Sequence, residues 1–92
     1  MGIHQGRFQL GRLLMTPNAM ETLHPEDAFV SLTRHARCDW GDCCEEDATE
    51  NNFSLDKYLR LFSVYHDRHG KKFWIITEAD RSLTTILLPE DY

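Results

Sequence analysis

Hydrophobic and polar residues alternate most clearly in the last third of the chain. Three runs rich in β-branched and aromatic residues, at 58–66, 72–77 and 83–88, are separated by two short polar segments. Such runs predict strands, and connections this short join neighbouring antiparallel strands. Gly70 in the first connection suits a positive φ, and Pro89 ends the third run because it has no backbone donor. The C-terminal third is therefore predicted to be a three-stranded antiparallel meander.

The run at 58–66 carries bulky side chains at both odd and even positions, such as Leu61 and Tyr65 on one side and Phe62 and Val64 on the other. A strand with bulk on both faces is typical of the interior of a sheet. We therefore expect this strand to be central or nearly central. A weaker alternating run at 8–14 predicts a short first strand, which is a candidate fourth member of the sheet.

Two helix-start signals precede the meander. Thr16 before Pro17 combines a capping hydroxyl with a residue whose missing N–H costs nothing at the first helical position. This signal predicts a single turn through Met20. A second proline, followed by two acids where the helix dipole favours them, predicts a helix from Pro25 to about Ala36.

One face of the predicted helix should pack on the sheet. Phe29, Leu32 and Ala36 recur at helical spacing and share that face, with Ala28 and His35 beside them. We expect all three side chains to be buried there.

The segment between this helix and the meander is strongly acidic. Asp42 followed three residues later by Glu45 has the form of a capping box and predicts a second helix at about 43–52, after a turn at Gly41. Between positions 39 and 56 there are seven acids and neither Lys nor Arg. This segment is predicted to form an acidic face.

These elements predict an α+β fold, with a three-stranded antiparallel meander, or four strands if the N-terminal strand joins, packed against one or two helices. Ninety-two residues suffice for one small domain, and a hydrophobic content of 41% is typical of globular proteins. We therefore predict a single domain covering residues 1–92.

Charge and cysteine content narrow the functional classes. The net charge of -5 argues against direct nucleic-acid binding, because such binding depends on neutralising phosphates. No apolar run is long enough to cross a bilayer, and no cleavable hydrophobic leader is evident, so we expect no membrane association. The odd number of cysteines is typical of a reducing compartment. These features predict a cytoplasmic location.

Candidate chemistry is sparse. His35, Cys38 and Cys43 are the best candidate metal ligands, because imidazole and thiolate suit tetrahedral zinc, with a hairpin histidine as a further ligand. Their spacing matches no standard zinc motif, and packed cysteines are the simpler interpretation. Phosphate-binding loops and hydrolase motifs are absent from the sequence. No catalytic residue and no cofactor are predicted.

Trp40 lies between two acids in the turn and has two interpretations. It is either a plug at the edge of the core or an exposed anchor for a partner. We favour the plug, because burying an indole is strongly favourable.

Two long strings carry a resemblance to known proteins. They are residues 34–42, RHARCDWGD, and residues 74–92, WIITEADRSLTTILLPEDY, with Glu46, Asp47 and Asn51 between them. The chain resembles a family of short bacterial proteins described as plasmid-related or hypothetical. Members of that family read R-H-x-x-G-D-W-G-D, so Cys38 stands where Gly is expected. The resemblance implies a mobile-element or phage context and no particular activity.

The sequence therefore favours a non-enzymatic protein-interaction module, a mobile-element or phage-borne accessory protein that docks on a larger machine through its acidic face. One version is an inhibitor of host defence that mimics nucleic acid and occupies a basic nucleic-acid-binding surface of a protein partner. A zinc module or metal-dependent enzyme is the alternative, and homodimerisation through an uncovered sheet edge stays open. The predicted partner-binding residues are Asp39, Trp40, Asp42, Glu45, Glu46, Asp47 and Glu50.

Overall fold

The computed structural model describes residues 6–92 and has the predicted α+β fold. Within these residues, three α-helices lie between the first and second strands of a four-stranded sheet, and a 3₁₀ turn follows the last strand. In chain order the elements are β1 (Arg12–Met15), α1 (Pro17–Thr22), α2 (Pro25–Ala36), α3 (Glu45–Lys57), β2 (Leu61–His66), β3 (Lys72–Thr77), β4 (Leu83–Leu87) and the 3₁₀ turn (Pro89–Asp91).

The sheet has the strand order β1-β4-β3-β2. Strands β2, β3 and β4 form the predicted antiparallel meander, and β1 extends it by pairing parallel to β4. The predicted first strand at 8–14 begins later than expected, at Arg12. Gly11 adopts a φ of 67°, and a side chain there would collide with the backbone of Ser82. The chain therefore turns at Gly11 before it can pair with β4.

Strand β2 lies at an edge of the sheet, so the prediction of a central strand was wrong. Other segments cover its outer edge: the Val64 N–H donates to the Trp40 carbonyl over 3.2 Å, and the Asp42 N–H donates to the Val64 carbonyl over 2.6 Å. The Asn51 amide from α3 bonds both the N–H and the carbonyl of Phe62. Bulk on both faces of β2 therefore does not require a second neighbouring strand, and Phe62 on the second face packs against Trp74 of β3.

Helix α2 has the predicted bounds, and its buried face matches the predicted one except at Phe29. Phe29 is 65% exposed, whereas Ala28, Leu32 and Ala36 are buried. Ala28 and Leu32 are one turn apart, and Phe29, one residue after Ala28, is rotated away from the sheet by about 100°.

The starts of α1 and α3 can be compared with the capping signals predicted from the sequence. The Thr16 hydroxyl accepts from the Ala19 N–H over 3.2 Å, which confirms the predicted cap, and α1 continues to Thr22. Helix α3 begins at Glu45 after Cys44, which makes no side-chain capping bond, so the predicted capping box does not form.

The hydrophobic core lies between the first two helices and one face of the sheet. Tyr65, Phe73 and Ile75 supply its largest buried side chains from β2 and β3. None of the helices within residues 6–92 has both the length and the apolar surface needed to cross a membrane. The core cluster comprises Leu10, Ala19, Leu23, Ala28, Leu32, Ala36, Tyr65, Phe73, Ile75, Ile86 and Leu88.

Candidate partner-binding face

The acidic segment starts where α2 ends, in a Schellman motif. The Cys38 N–H donates to the His35 carbonyl and the Asp39 N–H donates to the Arg34 carbonyl, both over 2.9 Å. Cys38 adopts a φ of 66°, a left-handed conformation that favours glycine. The pattern expected from the resemblance has Gly at this position, and the geometry supplies a physical reason for it.

Of the two interpretations of Trp40, the structure supports the buried plug. Its side chain is 6% exposed, its indole N–H donates to Asn52 over 3.0 Å, and its ring packs against Phe8 and His35. An indole held in this way is not available to a partner. We therefore remove Trp40 from the predicted contact residues.

Gly41 allows the acidic segment to lie directly against β2. It has a φ of 73°, and a side chain at this position would collide with the Val64 carbonyl and the Tyr65 ring. The Tyr65 hydroxyl also donates to the Asp39 carbonyl over 2.6 Å. Residues 39–42 therefore serve the fold by closing the edge of the sheet.

Asp39 and Asp42 point outward, but each has a cationic or titratable partner. The Arg34 guanidinium donates to Asp39 over 2.8 Å, and this hydrogen bond holds the pKa of the Asp39 carboxyl below its usual value. The Asp42 carboxylate lies 2.7 Å from the His66 ring. Asp39 is therefore compensated within the molecule by Arg34, whereas Asp42 is hydrogen-bonded to an imidazole.

The remaining predicted contact residues come together on α3. Glu45, Glu46, Asp47 and Glu50 are all exposed, and we call this group the α3 acidic face. Within residues 6–92, none of the four forms an ion pair with Lys, Arg or His. The α3 acidic face is therefore uncompensated by the part of the chain that the structure describes.

His35 is not placed as a metal ligand. Its side chain is 0% exposed, and its two ring nitrogens bond the hydroxyls of Ser63 and Thr77, the second over 2.8 Å. Thr77 in turn bonds Thr84 over 2.7 Å, and the Thr84 hydroxyl donates to the Leu10 carbonyl over 2.7 Å. Both ring nitrogens of His35 are therefore occupied by core hydroxyls.

The hydroxyl chain determines the proton positions. Thr84 must donate to a carbonyl, so Thr77 donates to Thr84 and accepts from the Nε2–H of His35. The Nδ1 atom then accepts from Ser63. Burial, with a smaller contribution from the Arg81 charge, lowers the pKa of His35 from 6.5 to about 3, so the ring stays neutral in the folded protein.

The structure does not bring the three candidate zinc ligands together. Burial raises the pKa of both the Cys38 and Cys43 thiols, and the Cys43 thiol donates to the Phe62 carbonyl over 3.4 Å. Across residues 6–92, no three side chains of His, Cys, Asp or Glu are grouped so that they could hold a metal ion. His35, Cys38 and Cys43 therefore do not form a shared site.

Arg81 is an important residue that the sequence did not reveal. It is 7% exposed and adopts a φ of 62°. Its guanidinium donates to the carbonyls of Leu59 over 2.7 Å and Ser54 over 3.1 Å, and it lies over the rings of both Phe8 and Tyr58. It therefore ties the C-terminal end of α3 to the β3–β4 turn. The only signal in the sequence was an arginine in a short turn, which is too common to indicate this role.

Comparison with known proteins found no match for this chain. The chain matches no family model, and it matches neither a curated protein nor a solved structure. The resemblance to plasmid-related bacterial proteins therefore stays a prediction.

Proposed function

We propose that this protein is a non-enzymatic interaction module that docks on a basic surface of a protein partner through the α3 acidic face. The observation that carries this proposal is four exposed carboxylates on two adjacent helical turns, uncompensated within the described chain.

The arrangement has a cost for the isolated fold. Glu46 and Glu50 are four residues apart on one helix face, where two like charges destabilise a helix by roughly 0.2–0.5 kcal/mol. The helix dipole stabilises carboxylates in the first turn, but Glu50 lies beyond that turn and is not stabilised in this way. Folding alone therefore gives no reason for a carboxylate at this position, and an external basic group supplies one.

The α3 acidic face is also held rigidly. The buried Asn51 side chain of α3 bonds Phe62 in β2, and Arg81 holds the carbonyls at the far end of the helix. A preorganised set of charges loses little conformational entropy on binding. This rigidity supports a recognition role for the face.

The charge density supports the nucleic-acid-mimic version of the proposal. Residues 45–50 span a helical rise of about 7.5 Å and carry four carboxylates. This is about one charge per 2 Å, close to one charge per about 1.7 Å of duplex DNA. The partner surface is then a basic channel that ordinarily holds a nucleic acid, which fits the mobile-element or phage context expected from the resemblance.

A pair of matched double variants tests the proposal. Glu45→Gln with Glu46→Gln removes two charges from the α3 acidic face, whereas Glu21→Gln with Asp56→Asn removes two exposed charges elsewhere. Proteins retained from a host lysate on each immobilised variant are eluted with rising salt, and a retained basic protein is purified for titration. We expect the first pair to weaken its binding by about tenfold and the second pair to leave it unchanged.

Duplex DNA bound to the purified partner is then challenged with the wild-type protein in a competition assay. Displacement of the DNA by the wild-type protein, with affinity that falls as salt rises, supports docking in a nucleic-acid channel. Equal binding by the two double variants, or binding that does not respond to salt, contradicts the proposal.

A further inference from the structure

The two edges of the sheet differ in protection. Residues 40–42 and the Asn51 side chain cover the edge of β2, as described above. Strand β1 forms the other edge, and no strand or bridge within residues 6–92 pairs with its outer side. An open edge presents a template of backbone donors and acceptors to another strand.

The hydrogen bonds of β1 identify the groups that face outward. The Arg12 N–H donates to Ser82 over 2.9 Å and the Thr16 N–H donates to Ile86 over 3.0 Å, so positions 12, 14 and 16 face β4. By the same alternation, the backbone groups of Leu13 and Met15 point away from the sheet. The open edge therefore offers two residues with both a donor and an acceptor.

Apolar side chains accompany these open backbone groups. Leu13 is 45% exposed and Leu14 is 46% exposed, and they lie on opposite faces of the sheet. Strand β1 is short and its one charged residue is Arg12, but it contains neither proline nor lysine, two residues with which proteins commonly blunt such an edge. The edge is suited to pairing.

We propose that a second copy of this chain pairs with β1 in antiparallel orientation, about a two-fold axis through Leu14. Leu13 of each copy then lies opposite Met15 of the other, and every outward N–H meets an outward carbonyl. The two Leu14 residues face each other as a non-hydrogen-bonded pair, with Cα atoms about 4.5 Å apart, and their side chains contact. The edge is thus self-complementary.

Charge complementarity favours a second copy over an unrelated strand. In this register, Arg12 lies opposite Thr16 of the second copy. The Thr16 hydroxyl donates to Asp91 over 2.6 Å, and Asn18 donates to the same carboxylate over 2.8 Å. Within the described chain, neither Arg12 nor Asp91 belongs to an ion pair. Symmetry places Arg12 of each copy near Asp91 of the other, so the dimer contains this pair twice.

The dimer also keeps like charges apart. The order β1-β4-β3-β2 puts α3 at the edge far from β1, so the continuous sheet carries one α3 acidic face at each end. Seven strand spacings of about 4.8 Å separate the two β2 strands by roughly 34 Å. This exceeds the Debye length of about 8 Å at physiological salt, so the two acidic faces do not repel each other appreciably.

Sedimentation velocity and light scattering test the dimer with the whole chain. For a small interface, self-association is expected at high micromolar concentration. Wild-type protein should approach twice the monomer mass as concentration rises. Leu14→Lys, which places two ammonium groups on the axis, should stay monomeric. Met20→Lys, a change at an exposed apolar residue outside β1, should behave as wild type. Circular dichroism checks that both variants fold.

A double-mutant cycle tests the register. Asp91→Asn retains an acceptor for Thr16 but loses the charge, and Arg12→Gln removes the opposing cation. Each single change should weaken the dimer by about tenfold, because each removes both symmetry-related pairs, and the double change should cost little more. A wild-type monomer at all concentrations, or a dimer unaffected by Leu14→Lys, overturns the proposal. Leu14→Lys leaves the α3 acidic face intact, so this result and the docking result are independent.

Discussion

Acid should destabilise this protein before its carboxylates titrate, because His35 is buried in its neutral form. In the folded protein its pKa is about 3, and its ordinary value is 6.5. Below pH 6.5 the unfolded chain binds a proton that the folded chain excludes. The contribution of His35 to stability is therefore fully present above pH 6.5 and is lost as pH falls from 6.5 towards 3.

The size of the effect follows from this difference. The free energy of unfolding should fall by about 1.4 kcal/mol for each pH unit below 6.5, which amounts to about 2 kcal/mol at pH 5. A domain of this size has roughly 5–15 kcal/mol in total, so the loss is readily measured. Carboxylates with lowered pKa values act at lower pH: hydrogen bonds from Arg68 lower the pKa of Asp27 from 3.8 to about 2. Between pH 6.5 and 5, the loss of stability is therefore assigned to His35 by comparing the histidine variants below.

Urea denaturation followed by tryptophan fluorescence measures this slope at several pH values. His35→Gln should be less stable at neutral pH because the ring and its hydrogen bonds are lost, but its stability should be flat between pH 7 and 5. His69→Gln, an exposed hairpin histidine, is the matched control and should keep the wild-type slope.

If His35→Gln does not fold, the wild-type protein still decides the question. Nitrogen chemical shifts should show a neutral Nε2–H ring at His35 that does not titrate down to pH 5. A His35 ring that titrates near pH 6.5 in the folded protein, or a wild-type stability that is constant from pH 7 to 5, would refute the reasoning.

Three further predictions concern other positions. Cys38→Gly should raise the free energy of unfolding by about 1 kcal/mol, because glycine adopts the left-handed backbone at this position without strain. In urea denaturation, Cys38→Ala should show no such gain. Equal effects of the two changes would contradict this explanation. Gly41→Ala should lower the free energy of unfolding by about 3 kcal/mol, because the new side chain strains the backbone and collides with β2. Gly70→Ala should lower it by only about 1 kcal/mol, because a side chain there meets nothing within 4 Å. Similar shifts in thermal melting temperature would argue against a close approach at Gly41. Glu50→Lys should stabilise the fold by about 0.5 kcal/mol, because it replaces a repulsion with an ion pair to Glu46, yet it should weaken binding to the basic partner. The control variant Asp56→Lys should preserve binding. A Glu50→Lys variant that is destabilised or still binds normally would count against the role of the α3 acidic face.

Local chemistry was enough to predict most of the elements. The Thr16–Pro17 cap, the helix that begins at Pro25, the turn at Gly70 and the stop at Pro89 depend on groups a few residues apart, and the structure confirms them. The α+β class followed from the same signals. The acidic character of α3 was also evident, because charge composition does not depend on the fold.

Long-range contacts decided what the sequence could not. Whether β2 is central or at an edge depends on which distant segments cover it, and here Gly41 and Asn51 do so. Burial of Trp40 and exposure of Phe29 depend on which face of each element meets the sheet.

The candidate site shows the same division. The sequence placed seven acids in one segment, but only the fold sets Arg34 beside Asp39 and His66 beside Asp42, and leaves the α3 carboxylates without a partner in the described chain. Caps and turns are local, so the sequence determines them directly. Ion pairs, burial and strand order join residues far apart in the chain, and they exist only once the tertiary structure has formed.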